Sequence, residues 1–240
     1  NRNAATISVF RNTSIRGAIT SSSFAAKVDF TAGLQPFESY MGDLDGDGKM
    51  DLAVVNYQSN TVSVFRNTAV SGSITTASLA AKVDFATGTN PVAVGIGDLD
   101  GNGKPDLTVS NVNANSVSVL RSTATSGVIN ASSFAAKVDF ASAGGPGELV
   151  IGDMDGDSKL DLVTAHFSGG IISILRNSDL PPVISSFTPA SAKPGDVVTL
   201  TGTGFNTTAA NNVVFFGATR AVVSSATATS ANVIVPSGAT

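Results

Sequence analysis

The sequence predicts an all-β protein in which tandem four-stranded units precede a smaller antiparallel β-sandwich. A 55-residue period links equivalent segments across roughly residues 1–177. Within each period, short apolar runs alternate with polar residues and are separated by Gly, Asn and Ser clusters, which is typical of strands joined by turns. Beyond the period comes a Pro-Pro pair, followed by further short strand patterns. We therefore predict two domains, residues 1–180 and 181–240.

The repeat is clearest in an acidic nine-residue segment. Asp43–Asp51 recurs as Asp98–Asp106 and as Asp153–Asp161, and both offsets are 55 residues. The same step links four arginines and three copies of an Ala-Ala-Lys-Val-Asp-Phe segment. One shared period for three features identifies a structural repeat. The four arginines are Arg11, Arg66, Arg121 and Arg176.

Each period is predicted to contain four strands. In the central copy these are Pro91–Gly97, Leu107–Ser110, Ser116–Leu120 and Lys137–Phe140. The third strand alternates apolar residues with Ser118, so one face is apolar and the other carries hydroxyls. A repeated four-stranded unit of this length is typical of propeller blades.

The alternating carboxylates of the acidic segments indicate calcium loops. Calcium takes six to eight oxygens at about 2.3–2.6 Å, and carboxylates held this close repel one another unless a cation lies among them. Loop positions one, three and five would supply side-chain oxygens, position seven a backbone carbonyl, and position nine a closing carboxylate. An EF-hand is excluded because the twelfth position is never Glu. The predicted ligands are Asp43, Asp45, Asp47, Lys49 and Asp51; Asp98, Asp100, Asn102, Lys104 and Asp106; and Asp153, Asp155, Asp157, Lys159 and Asp161.

The three loops are not expected to be equivalent. Asn102 replaces a carboxylate in the second loop, so we expect that site to be the weakest. Ser158 stands where the other loops have Gly, and a positive φ there costs about 1 kcal/mol.

The segment from Gly42 to Leu52 resembles the signature of FG-GAP/VCBS repeats, the blades of integrin-α-type β-propellers. The resemblance implies that each acidic loop joins the first two strands of a blade and binds calcium. A closed propeller has about four to eight blades, typically seven in this family, whereas the chain holds about three. Ring closure is therefore left open.

Residues 181–240 resemble an IPT/TIG domain, which has an immunoglobulin-like fold. The resemblance rests on Gly-Thr-Gly-Phe at 202–205 and Val-Pro-Ser-Gly-Ala at 235–239. Such domains usually continue into one more strand, and the first strand pattern, Thr6 to Asn12, matches the third strand of a blade. We expect either an excerpt of a longer protein or strands supplied by neighbouring chains, which would give a head-to-tail fibre.

Composition excludes several function classes. The net charge of −4 argues against nucleic acid, and no apolar run is long enough for membrane insertion. The chain has no Cys, and its single His166 is interpreted as a polar residue at the end of the strand after the third loop, so no catalytic residue is expected. We expect the four arginines to pair with fourth-strand carboxylates such as Asp29, Asp84 and Asp139.

The predicted function is that of a non-catalytic, calcium-stabilised adhesion or structural protein, able to assemble into a filament. Its composition, rich in Ser, Thr, Ala, Asn and Gly, is typical of a secreted prokaryotic protein at the cell exterior or surface. Expected partners are a protein or glycan there, or further copies of the chain. The alternative is a carbohydrate- or substrate-binding accessory module of a larger secreted enzyme or lectin.

Overall fold

The structure, a computed structural model, describes residues 1–178 and 182–238. The chain divides into two compact units, Asn1–Asn177 and Ser178–Thr240. The domain boundary predicted between residues 180 and 181 falls on residues 179–181, which lie outside the described residues. Regular structure is almost entirely β, as predicted, and the described helices are short 3₁₀ turns at Arg2–Ala4 and Ala209–Asn211. In the part of the chain that the structure describes, no helix is long and apolar enough to cross a membrane.

The first unit consists of four antiparallel sheets in chain order. We call them the half-blade (β1, β2), blade 1 (β3–β6), blade 2 (β7–β10) and blade 3 (β11–β13). Their strands are β1 (Thr6–Val9), β2 (Val28–Thr31), β3 (Pro36–Gly42), β4 (Asp51–Asn56), β5 (Thr61–Phe65), β6 (Val83–Ala86), β7 (Pro91–Gly97), β8 (Asp106–Asn111), β9 (Ser116–Leu120), β10 (Val138–Ala141), β11 (Pro146–Gly152), β12 (Asp161–His166) and β13 (Ile172–Leu175).

Blades 1 and 2 have the four consecutive antiparallel strands that the period predicts. The predicted third strand of the central repeat, Ser116–Leu120, coincides with β9. Blade 3 has three strands among the described residues, and β13 lies at its edge. The prediction of tandem propeller-type blades is confirmed.

Apolar side chains hold neighbouring blades together. The largest cluster joins blade 1 to blade 2 and includes Val64 and Phe85 on one side and Leu107, Leu120 and Phe134 on the other. The Phe85 and Phe134 rings meet edge to face with centroids 5.0 Å apart. Further clusters join the half-blade to blade 1 and blade 2 to blade 3. The core of this unit therefore lies between sheets, and each blade depends on its neighbours.

In blades 1 and 2, the hydroxyl-bearing face of the third strand carries a polar network built on a buried Asn and a buried Ser. In blade 1, Asn56 donates from Nδ2 to Ser63 Oγ (2.8 Å), and Ser63 donates to Asp84 (2.6 Å). The Asn56 Oδ1 accepts from the Gly33 amide at 2.9 Å. Residue 33 must be Gly because an added Cβ would lie 2.5 Å from Asn56 Cγ. Blade 2 repeats the arrangement with Gly88, Asn111, Ser118 and Asp139.

In blade 3, different residues occupy the positions of this Gly and Asn. Ala143 and His166 occupy the positions of the Gly and the Asn. His166 ends β12, with Nδ1 3.0 Å from the Gly144 carbonyl oxygen and Nε2 2.9 Å from Ser173 Oγ. Both ring nitrogens are thus engaged, which agrees with the predicted structural role of a polar residue at a strand end.

The second unit is a small β-sandwich. A four-stranded sheet of order β14-β15-β19-β18 accompanies a two-stranded sheet, β16-β17. A separate apolar cluster that includes Val198, Leu200 and Val233 forms its core. The strands are β14 (Val183–Thr188), β15 (Val197–Thr203), β16 (Phe215–Phe216), β17 (Thr219–Arg220), β18 (Val222–Ala226) and β19 (Ser230–Ile234).

The first strands of blades 1 and 3 bring two carboxylates to one pocket. Glu38 on β3 and Glu148 on β11 line it together with Phe37, His166 and Phe167. Burial, with a smaller contribution from the negative charge of Glu148, raises the pKa of Glu38 to about 7. The folded protein therefore holds Glu38 in a place that disfavours its charged form.

Replacing Val117 with Ala tests the packing between blades. Val117 is completely buried in the cluster between blades 2 and 3, so the cavity should cost about 2 kcal/mol of unfolding free energy. Val138→Ala is the matched control in the same blade, since Val138 is 57% exposed, and its cost should stay below about 0.5 kcal/mol. Urea unfolding measures both; equal costs would contradict this packing.

Glu38→Gln should stabilise the protein at high pH and not at low pH. An unfolded Glu ionises near about pH 4.3, so between that pH and about 7 only the unfolded chain loses its proton and wild-type stability falls. Because Glu38 is only half-buried and solvent screens its charge, we expect a gain of about 1 kcal/mol at pH 8. Urea unfolding of variant and wild type at about pH 4 and pH 8 isolates Glu38. An equal difference at both pH values would contradict the assignment.

Candidate metal centre

The acidic loops join the first and second strands of blades 1, 2 and 3. In each loop, carboxylate oxygens from positions one, three and nine lie within 4.8 Å of one another. Two oxygens that bind one calcium ion at about 2.4 Å cannot lie more than about 4.8 Å apart, so the spacing suits a shared cation. The three groups are Asp43, Asp45 and Asp51; Asp98, Asp100 and Asp106; and Asp153, Asp155 and Asp161.

Backbone amides fold each loop around its first carboxylate. In loop 1, Asp43 accepts from the amides of Asp47 (3.0 Å) and Gly48 (2.9 Å). This wrap requires left-handed backbone, and Gly48 has φ of 85°. Ser158 occupies that position in loop 3 with φ of 68°, so a residue with a side chain adopts the left-handed backbone there.

The ninth-position Asp anchors the loop to its blade. Asp51 is buried, and its two carboxylate oxygens accept from the amides of Leu44 (3.0 Å) and Asn67 (2.8 Å). Leu44 belongs to the loop, and Asn67 lies just beyond the third strand. The same bonds recur at Asp106, from Leu99 and Ser122, and at Asp161, from Met154 and Asn177. One carboxylate thus ties each loop to the end of the third strand of its blade.

The environments of these three carboxylates differ. Burial raises the pKa of Asp51 and of Asp106, with nearby loop carboxylates adding to the rise. Hydrogen bonds from the amides of Asn177 and Met154 instead lower the pKa of Asp161. The first two anchors are therefore held where a neighbouring positive charge is most favourable.

Position five bonds to the loop backbone. Asp47 Oδ1 accepts from the Lys49 amide at 2.9 Å, and Asn102 and Asp157 accept from Lys104 and Lys159 in the same way. This side-chain-to-backbone turn closes the loop locally. Coordination by the side chain at position five and by the lysine carbonyls stays a prediction.

Arginines contact these loops, which corrects the sequence-based pairing. Arg66 donates from Nε to Asp45 and from Nη2 to Asp47, both at 2.7 Å. Arg176 bonds Asp155 and Asp157 in loop 3. The predicted pairing with fourth-strand carboxylates is wrong, because the Arg follows the third strand at the end of the blade where the loop lies. Asp29, Asp84 and Asp139 pair with Lys27, Lys82 and Lys137.

Loop 2 shows how the arginine contact changes when position five lacks a carboxylate. With Asn102 at position five, the guanidinium of Arg121 lies 4.0 Å from Asp100. In loop 1 the corresponding Arg66 reaches two carboxylates at hydrogen-bonding distance. Loss of one charge therefore weakens the hold of the loop on its arginine.

Loop 1 also holds the neighbouring blade. The Asp45 carbonyl oxygen accepts from the Gly127 amide and the Gly46 carbonyl oxygen from the Ser126 hydroxyl, both at 3.1 Å. Ser126 and Gly127 lie between β9 and β10 of blade 2. In loop 2, the Leu99 carbonyl oxygen accepts from Asn177 Nδ2, beyond β13 of blade 3, at 2.7 Å. Loops 1 and 2 are therefore junctions between blades.

The donor set fits calcium. Each group offers carboxylate oxygens alone, without His or Cys, as hard cations prefer. Magnesium fits less well because it resists a cage built wholly of protein ligands. The converging carboxylates would hold the ion, and its chemistry would be to neutralise their charge.

Comparisons with known proteins agree with this architecture. The model of the FG-GAP-like repeat matches residues 43–109 and 98–164, and that of the IPT/TIG domain matches residues 182–240. A comparison with curated proteins found no match. FG-GAP and IPT/TIG are non-catalytic domain types that mediate protein interactions and are typically extracellular.

The matched repeats span half of the chain and include all three acidic loops. They overlap from one blade to the next, as the 55-residue period requires. The chain belongs to the FG-GAP-like repeat family and carries an IPT/TIG domain after its repeats.

Proposed function

We propose that the three loops bind Ca²⁺ as a structural ligand, and that the protein is an extracellular adhesive or structural module. The observation that carries the proposal is the threefold recurrence of one geometry. In every loop, three carboxylates converge and the ninth-position Asp is anchored to its own blade. A solvated acidic turn has no reason to repeat this arrangement.

Electrostatics favour a cation in each loop. Carboxylates this close raise the free energy of the folded state unless positive charge lies among them. Arg66 offsets part of the charge in loop 1, but its side chain is 30% exposed and reaches only positions three and five. Calcium would neutralise the group that includes the first and ninth positions.

The position of the loops explains why a bound ion would matter to the whole first unit. Loop 1 holds Ser126 and Gly127 of blade 2 through its own carbonyl oxygens. A loop ordered by calcium would therefore secure the junction as well as its own blade. Extracellular calcium is millimolar, enough to fill even weak sites of this class.

The adhesive or structural role rests on the domain types together with this architecture. Repeats of non-catalytic domains present protein surfaces for binding, and His166 is occupied by structural hydrogen bonds. We expect calcium to bind the folded state and to stabilise it by mass action.

Calcium should raise the thermal midpoint, and removal of one loop carboxylate should reduce the gain. For one site at a hundredfold excess over Kd, binding contributes about 2.7 kcal/mol. Asp98→Asn should lose the contribution of loop 2 to this gain. Because Asp98 accepts two loop amides and Asn keeps one acceptor oxygen, stability without calcium should fall by about 1 kcal/mol. Asp139→Asn, outside the loops, is the control and should keep the full gain. Calorimetric melts with EGTA, calcium or magnesium measure this; equal melts with EGTA and calcium would refute the proposal.

Asp106→Ala should destabilise the protein even without calcium. The change removes the acceptor of the Leu99 and Ser122 amides in a buried place, so we expect a loss of about 2–4 kcal/mol in EGTA. Asp98→Asn retains an acceptor oxygen and serves as the comparison. Urea unfolding in EGTA separates anchoring from metal binding. If Asp106→Ala were neutral in EGTA, its carboxylate would act only through the ion.

A further inference from the structure

Loop 2 carries a side-chain amide in a sequence context that favours its loss. Position five is Asn102, followed by Gly103, where loop 1 has Asp47 and Gly48. This is the one Asn-Gly pair in the sequence. The backbone nitrogen of the residue after an Asn can attack the Asn side chain, and Gly has no side chain that would hinder the close approach.

The pair lies where water can reach it. Asn102 and Gly103 are both exposed, and a Cβ added to Gly103 would meet no atom within 4 Å beyond its chain neighbours. Asn115 offers a reference within the same blade. It precedes Ser116, which has a side chain and is buried, and its Oδ1 accepts from the Gly145 amide at 2.9 Å. The surroundings therefore favour reaction at Asn102 over Asn115.

The backbone of loop 2 already matches that of loop 1. Asn102 Oδ1 accepts from the amide two residues later at 2.8 Å, as Asp47 Oδ1 does at 2.9 Å. A carboxylate in place of the amide would keep this acceptor and add a charge. The arginine beside it has room for a second carboxylate, since the side chain of Arg121 is 55% exposed against 30% for Arg66. Loss of the amide would thus give loop 2 the charges of loop 1.

Hydrogen bonds restrain the reacting groups while the loop is closed. The Gly103 amide donates to Asp98 at 2.7 Å, and Asn102 Oδ1 accepts a backbone amide. The Gly103 nitrogen must turn toward Asn102 Cγ to react, so the loop has to open first. The converging carboxylates of Asp98, Asp100 and Asp106 repel one another without a cation. We therefore expect the loop to open more often when calcium is absent.

We propose that Asn102 is a self-modifying site, at which loop 2 exchanges a side-chain amide for a carboxylate. In the open loop, the Gly103 nitrogen bonds to Asn102 Cγ and the C–N bond of the side-chain amide breaks. Ammonia leaves with the proton of the Gly103 nitrogen. Water then adds at Cγ and breaks the new bond, which leaves an aspartate side chain on an intact main chain. The alternative ring opening breaks the original peptide bond and gives isoaspartate.

The aspartate product would change the calcium affinity of loop 2. Affinity in such loops rises with the number of charged ligands, so the weakest of the three sites would gain strength. Loss of ammonia makes the change permanent, so a period without calcium would leave a lasting increase in affinity. This effect deepens the calcium role proposed above and rests on it. The conversion itself needs only water.

The test follows the mass of the freshly purified full chain during incubation with EGTA or calcium. In EGTA, peptide mapping should find a gain of about one dalton at Asn102 while Asn115 stays unchanged. Calcium at about ten times the Kd of loop 2 should slow the conversion about tenfold, because it suppresses opening by that factor. Gly103→Ser is the matched control, since loop 3 has Ser158 at this position. This variant should fold and convert several-fold more slowly.

Asn102→Asp represents the product and should bind calcium at one site about tenfold more tightly than fresh wild type in isothermal titration. Absence of a mass gain at Asn102 in EGTA, over a time in which the urea-unfolded chain converts, would overturn the inference. Isoaspartate as the sole product would do the same. Conversion without any calcium gain in the melts refutes the calcium proposal alone, whereas a calcium gain without conversion refutes this inference alone.

Discussion

The first unit depends on one buried carboxylate per repeat. Asp51, Asp106 and Asp161 each accept one amide from their own loop and one from the residue two positions beyond the third strand. This pair of bonds ties each loop to its blade, beside carboxylates that lie close enough together to share a cation. Because loop 1 in turn holds Gly127, the same carboxylate helps to position the next blade.

Packing between sheets and electrostatic interactions within loops stabilise the first unit in different ways. A single blade buries little by itself, and its apolar faces are covered by its neighbours, as Phe85 is by Phe134. Each blade therefore contributes to the stability of the next, as in repeat architectures generally.

Much of this could be predicted from the period. It located the loops and the strands of the central repeat, because equivalent positions in a repeat share backbone conformation. It did not reveal the partner of Arg66, since a period does not say which strand end faces which loop. Nor did it reveal that the Asn at the end of the second strand contacts a Gly, as Asn56 contacts Gly33, or that Glu38 and Glu148 share a pocket. These contacts arise from side-chain size within one blade and from approach between blades two periods apart.

The most direct test of the account is the number of calcium ions that the protein binds. Isothermal titration of EGTA-stripped, dialysed protein should give three sites per chain, one for each converging group of carboxylates. The site of loop 2 should be the weakest, because Asn102 lowers its charge. Absence of calcium binding at millimolar concentration would contradict the account, because the convergence of carboxylates would then have to be explained by hydrogen bonds and arginines alone.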